Sequence, residues 1–155
     1  MSTRESVSFD ITLHVRDTCL CLAVQRAARA LARRFDEALR PLDLTNGQFS
    51  LLMSLNRPEP PPMGAVAELL AMDRTTLTAA LKPLERRGLV KIFADKNDKR
   101  ARRLMLTKDG KTVLAKAYPI WKKTHARLDD LLPRSADALR QDLMTLSAPP
   151  HSRQR

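Results

Sequence analysis

Cysteine, histidine, aromatic residues and long apolar runs are all scarce in this chain, and each scarcity removes a class of function. The two cysteines, Cys19 and Cys21, stand two positions apart. On a helix they would point about 200° from each other, which disfavours a bridge within one subunit. The three histidines, His14, His125 and His151, complete no metal-ligand spacing. There is no glycine-rich phosphate loop, no internal repeat and no catalytic constellation. Cys21 is the single candidate nucleophile, and His14, the nearest histidine, lies seven residues upstream and ahead of the helix that carries it. Neither an enzyme nor a cofactor is expected. Six aromatic residues are too few for the insertion face of a membrane-surface helix. No apolar run is long enough to span a bilayer, and the opening MSTRESVSFD lacks the hydrophobic segment of a secretory signal. A cytoplasmic protein without membrane contact follows as the expectation.

Positive charge, by contrast, is plentiful and unevenly placed. Residues 74 to 123 hold fifteen Lys and Arg against four acids, Glu85, Asp95, Asp98 and Asp109, a surplus equal to the net charge of +11 for the whole chain. The remainder is neutral, with thirteen residues of each sign. Charge confined to a third of the chain implies a dedicated face for a polyanion, and nucleic acid is the default partner. The 43% apolar content over 155 residues suits one compact unit with a small subdomain.

The organisation is mostly helical. Leu20, Val24, Ala27, Leu31, Phe35, Ala38 and Leu42 recur in steps of three and four, which predicts one long first helix over about 17 to 42. Thr45 and Gln48 form a capping box for a second helix ending near Asn56. The four prolines between Arg57 and Pro62 make a stiff connector, and a short third helix spans Met63 to Leu70. Asp73 is placed to cap a fourth helix, Arg74 to Arg87, with Gly88 as its left-handed stop. On that helix Leu77, Leu81 and Leu84 share one side, while Thr75, Thr78, Lys82 and Arg86 share the other.

Two hydroxyls and two cations on an outward face suit a recognition helix, because threonine and basic side chains meet phosphates and base edges. The same face would also serve as the ordinary solvated side of an amphipathic helix. Arg74 and Thr76, at the helix start, join the candidate DNA contacts. Pro83 removes the amide that would bond the Ala79 carbonyl, so a kink or local loosening is expected there. Leu89 to Ala94 and Arg102 to Leu106 read as two strands of a hairpin whose tip, residues 95 to 101, carries Lys96, Lys99 and Arg100. With Arg102 these are candidate contacts of a wing to DNA. Asp98 suits a phosphate-facing loop only if it pairs with Arg100 and fixes the direction of that side chain. Val113, Leu114, Ala117, Ile120, Trp121, Leu128, Leu131 and Leu132 give a helix from Thr107 to about Leu132, bent at Pro119, and Leu139, Leu143 and Leu146 give a last one.

Asp95 and Asp98-Lys99-Arg100, then Leu106-Thr107-Lys108-Asp109-Gly110, following Leu84-Glu85-Arg86-Arg87-Gly88-Leu89-Val90, resemble the signature of the multiple-antibiotic-resistance regulator (MarR) family. The resemblance implies a mainly α fold with a small β-hairpin wing. A winged helix-turn-helix over 45–107 would join a helical dimerisation domain built from 1–44 and 108–148, leaving 149–155 as a basic tail. It further implies a homodimeric repressor or activator that binds pseudo-palindromic operators in double-stranded DNA and, as is often the case in the family, is released by a small phenolic or lipophilic ligand. The alternative to a dimer is a monomeric bundle, and the alternative to a regulator is a ligand-binding or redox adaptor that no longer reads DNA.

As the resemblance implies, the effector site lies between the first, second and fifth helices, where Phe49, Met53, Trp121 and His125 would line it and Arg16 or Arg26 would meet an anionic ligand. Organic-hydroperoxide regulators, one branch of the family, carry a reactive cysteine that Cys21 matches in its distance from Leu42-Asp43-Leu44-Thr45. The tyrosines that serve that thiolate correspond here to Phe35 and Asn46, neither of which can take the role. Cys19 is the nearest resolving thiol, and a first-turn thiol beside Arg16 favours the thiolate. The opposing expectation is that Cys21, beside the apolar stripe, is an inert core residue.

Overall fold

The computed structural model describes residues 6–148, so the expected basic tail at 149–155 lies outside the described residues. The chain runs α1 (Phe9–Thr18), α2 (Leu20–Leu39), a 3-10 turn (Arg40–Leu42), α3 (Asn46–Leu55), α4 (Met63–Leu69), α5 (Arg74–Arg86), β1 (Val90–Ala94), β2 (Arg102–Leu106), α6 (Lys108–Asp129) and α7 (Ala136–Ser147). This is a mainly helical winged helix-turn-helix with one antiparallel hairpin, pairing Val90 with Leu106 and Ala94 with Arg102. No helix among the described residues is long and apolar enough to cross a membrane.

The single long first helix is corrected to two. α1 ends at Thr18, Cys19 is extended at φ −72° and ψ 111°, and α2 starts at Leu20. Cys19 has left the helix to cap α2, its sulfur accepting the Leu22 amide at 3.5 Å, so the helical angle between the two cysteines does not apply. Elsewhere the local signals decide the ends. Thr45 and Gln48 make both halves of the capping box, at 3.2 and 3.1 Å. Gly88 takes φ +69° after α5, and Thr107 caps α6 through the Gly110 amide at 3.0 Å. α5 continues through Pro83 to Arg86 and α6 through Pro119 to Asp129. Ala79, whose carbonyl Pro83 cannot serve as donor, lies on the exposed side of α5.

The core lies under the winged helix. Leu51, Leu52, Leu55, Val66, Leu77, Leu81, Leu84, Leu104 and Leu106 are buried and join Leu39, Leu114 and Ala117 of the flanking helices in one cluster. α1 and α7 bury no residue. Gly110 is fixed by space: a Cβ there would stand 2.0 Å from the Leu89 carbonyl oxygen, so α6 can leave the wing this closely only without a side chain.

Candidate nucleic-acid interface

α5 is held by its buried side and offers the other. Leu77, Leu81 and Leu84 are fully buried, while Arg74, Thr75, Thr76, Thr78, Lys82 and Arg86 are all exposed. Asp73 fixes the start, accepting the Thr76 amide at 2.7 Å and its hydroxyl at 3.0 Å. These bonds favour the ionised carboxylate and hold the Asp73 pKa below its ordinary value. The Thr76 hydroxyl proton is therefore committed to the cap, and that of Thr78 to the Arg74 carbonyl at 2.7 Å. Thr75, Lys82 and Arg86 complete the exposed face.

The wing tip is built by carboxylates accepting backbone amides. Asp95 Oδ1 accepts the amides of Asn97 at 2.7 Å and Asp98 at 3.1 Å, and Asp98 Oδ1 accepts the amide of Arg100 at 3.0 Å. The expected pairing of Asp98 with the Arg100 guanidinium is thus corrected: Asp98 holds the Arg100 backbone and leaves the exposed side chain undirected. Lys96 and Lys99 are exposed beside it, and Arg102 turns back to donate to the Lys99 carbonyl at 3.0 Å.

Two cations of the basic window bond back to the protein while still partly open to solvent, and both contacts escape sequence reasoning. Arg87 donates to the carbonyls of Asp43 at 2.6 Å and Leu42 at 3.3 Å, tying the end of α5 to the turn after α2. Arg103 donates to Asp95 and to the Pro60 carbonyl, the latter at 2.7 Å. The Arg103 side chain, followed by the Asn97 and Asp98 amides, keeps the Asp95 carboxyl below its ordinary range. The α2–α3 junction has a similar bond: Asp36 accepts the Asn46 backbone amide at 2.7 Å and its side-chain amide at 2.9 Å, which lowers its pKa in turn.

Of the residues expected around an effector, Phe49, Met53 and Trp121 line one cavity of about 590 Å³ together with Ser50, Ser54, Leu69, Leu70 and Tyr118. Trp121 stacks on Phe49 at 6.2 Å and on Tyr118 at 6.1 Å. His125 packs against Trp121 at 5.0 Å but lines a separate apolar cleft between α2, α6 and α7. Arg16 and Arg26 are not brought to the cavity: Arg16 pairs with Asp17 at the surface, and Arg26 is exposed on α2. Met53 and Tyr118 also wall a second cavity of about 280 Å³ whose other sides include Asn56 and the cation Lys111. Cys21 is exposed in the first turn of α2, which corrects its expected place in the core. Among the described residues no three His, Cys, Asp or Glu side chains gather as a metal site.

A sequence model of the MarR family matches residues 44–101, the α3 to wing segment. The organic hydroperoxide resistance transcriptional regulator of Bacillus subtilis is 30% identical over 101 residues, 65% of this chain and 69% of that protein. The curated relatives are matched over 51% to 69% of their own length, and the first of them over 61%. Among solved structures, the Mycobacterium tuberculosis transcriptional regulator MosR in complex with DNA superposes with a TM-score of 0.77 at 36% identity, covering 83% of this chain and 93% of that one. The transcriptional repressor CouR, bound to a 23-mer DNA duplex, superposes with a TM-score of 0.76 at 32% identity, covering 86% and 96%. CouR is also solved bound to p-coumaroyl-CoA.

Proposed function

The chain belongs to the MarR family, and we propose that it works as a homodimeric repressor that reads a pseudo-palindromic operator in the bacterial cytoplasm and is released by a small ligand. The observation that carries this reading is the pairing of an exposed α5 face, Arg74, Thr75, Thr78, Lys82 and Arg86, with the exposed wing cations Lys96, Lys99, Arg100 and Arg102 on one packed frame. The α5 side chains suit a major groove, and the wing cations suit the phosphates or the minor groove beside it. Residues 1–44 and 108–148 would form the dimer interface that sets two such frames one DNA turn apart, roughly 34 Å. Exposed Leu20, Leu31, Leu131, Leu139 and Leu146 supply the apolar surface for it.

The effector is best matched by a planar, largely apolar molecule in the cavity between α3, α4 and α6. Phe49, Tyr118 and Trp121 give stacking faces, and Lys111 beside the adjoining cavity suits an acidic substituent. CouR, with its aromatic acyl-CoA, is a relative with that ligand chemistry. Ligand binding would act by favouring one spacing of the two DNA-binding lobes.

A second reading is that oxidation of a thiol releases the DNA. It is favoured by the exposure of Cys21 in the first turn of α2 and by Cys19 at its cap, together with a relative named for organic hydroperoxide resistance. One experiment separates the readings: binding to duplex DNA from the chain's own upstream region, over a salt series, with and without peroxide or a thiol reductant. Tight binding that weakens steeply with salt supports the regulator, and reversible loss on oxidation supports the thiol reading. Absence of any preference over random DNA favours a protein-binding adaptor instead.

A further inference from the structure

The tip end of the wing strands holds a set of hydrogen bonds that reaches from the proline connector to the exposed Arg100. Arg103, the second residue of β2, donates from Nε to Asp95 Oδ2 and from Nη1 to the Pro60 carbonyl at 2.7 Å. Asp95 Oδ1 accepts the amides of Asn97 and Asp98, and Asp98 Oδ1 accepts the amide of Arg100. The connector's part follows from its composition. Pro60, Pro61 and Pro62 have carbonyls but no N–H, so they can only accept, and the facing strand must bring every donor. β2 brings two: the Leu104 amide to the Pro61 carbonyl at 3.0 Å, and the Arg103 guanidinium to Pro60. The planar fork serves the two acceptors from two nitrogens held in fixed relative geometry, whereas an ammonium would have to reach both from one nitrogen on a flexible stem. The Asp95 side chain is only 11% exposed, so the pair is partly shielded from water.

We propose that Arg103 is a positioning residue for DNA binding: through Asp95 it fixes the direction in which the wing tip presents Arg100, and through Pro60 it anchors that direction to the body of the protein. A hairpin of two strands is marginal on its own and its tip would otherwise swing. Arg103 touches DNA in no part of this scheme. Its effect is exerted through Arg100, and it rests on the DNA-binding reading above.

The test uses the full chain and a duplex enriched from a random pool by the wild-type protein. Arg103→Met should weaken binding of that duplex by about tenfold, comparable with loss of a single positioned arginine contact, and Arg103→Lys should recover part of it. The double variant Arg100→Ala with Arg103→Met should bind within about twofold of Arg100→Ala alone, because a positioning residue has nothing left to position. Losses that multiply instead would overturn the proposal, as would wild-type binding by Arg103→Met. Should Arg103→Met fail to fold, Asp95→Asn breaks the same link from its other end and should weaken binding in the same way; unchanged binding there would overturn the proposal. Failure to enrich any duplex would overturn the DNA-binding reading and the proposal with it, an outcome distinct from an enriched duplex that is indifferent to Arg103.

Discussion

Gly110→Ala should destabilise the protein even though alanine is the better helix former. Gly110 is the third residue of α6, and helix propensity alone predicts a gain of about 1 kcal/mol on replacing it. Space predicts the opposite sign. The added Cβ would stand 2.0 Å from the Leu89 carbonyl oxygen and 3.0 Å from its carbon, about 1.4 Å inside ordinary contact with the former, and the obstacle is backbone. Moving it strains the junction where Leu89 accepts the Thr107 amide at 3.1 Å, Gly88 accepts the Thr107 hydroxyl at 2.6 Å and Thr107 caps the Gly110 amide at 3.0 Å. Losing two of these bonds at about 1 kcal/mol each, with about 1–3 kcal/mol of overpacking, outweighs the propensity gain of about 1 kcal/mol and leaves a net loss of about 2–4 kcal/mol. Equilibrium urea unfolding at fixed protein concentration should show the midpoint falling by about 1–4 M for an m-value of about 1–3 kcal/mol/M. Gly64→Ala supplies the internal comparison, since a Cβ there meets nothing within 4 Å and the substitution should be neutral or stabilising. Equal midpoints for the two variants would refute the steric reasoning.

Ala71, in the turn between α4 and α5, has φ +51°. An L-residue pays about 1–2 kcal/mol there, while glycine loosens the unfolded chain by about 0.4–1 kcal/mol, so Ala71→Gly should raise stability by up to about 1.6 kcal/mol, and a lower thermal midpoint would contradict it. Arg100→Ala should weaken operator binding by about 1–3 kcal/mol with sedimentation and thermal midpoint unchanged; loss of folding would make its role structural. Asp36 is held below the ordinary carboxylate pKa by the Asn46 backbone amide first and its side-chain amide second. A depressed folded pKa adds stability that is fully present above about pH 4 and is lost as pH falls through the folded value. Stability curves of wild type and Asp36→Asn should therefore converge as pH falls in an acid titration followed by circular dichroism, and a gap that widens towards acid would reverse the sign of the argument.

The parts of the fold that were legible in the sequence are those decided within a few residues. Thr45 with Gln48, Asp73 and Gly88 mark the ends of α3 and α5 because a capping bond spans three residues and a left-handed stop needs one. The leucine triad of α5 follows from period, and the two strand runs of the wing are found close to their observed bounds. α1 was not legible. Val7, Phe9, Ile11, Leu13 and Val15 alternate with polar residues, the period of a strand, yet Phe9–Thr18 is a helix that buries none of its residues, so no buried face enforces a helical spacing. The ties of Arg87 and Arg103 to the body of the protein were hidden for a different reason. The backbone carbonyls they reach lie 43 to 45 residues upstream, and no local spacing reports a contact of that range.

The distribution of buried surface separates the two halves of the molecule. The winged helix owns a core of fully buried leucines, Leu51, Leu52, Leu77, Leu81, Leu84 and Leu104, which fixes α5 against the wing. Beyond Leu39, Leu114 and Ala117, which join that core, the framing segments leave apolar residues open: Phe9 is 72% exposed, Leu20 66%, Leu131 61% and Met144 71%. Apolar area left open on that scale suits an interface, and in the proposed dimer its burial would join two frames whose internal geometry is already set. The distance between the two α5 helices then depends on packing across the interface rather than on the core of either chain. Few covalent or core constraints oppose its change, whereas the orientation of α5 within one frame is held by the buried leucines and by the Arg87 bonds to Leu42 and Asp43. In the proposed dimer a ligand between α3, α4 and α6 would therefore act on the softer coordinate, and it would need only a differential affinity for two spacings, not the disruption of either DNA-binding lobe.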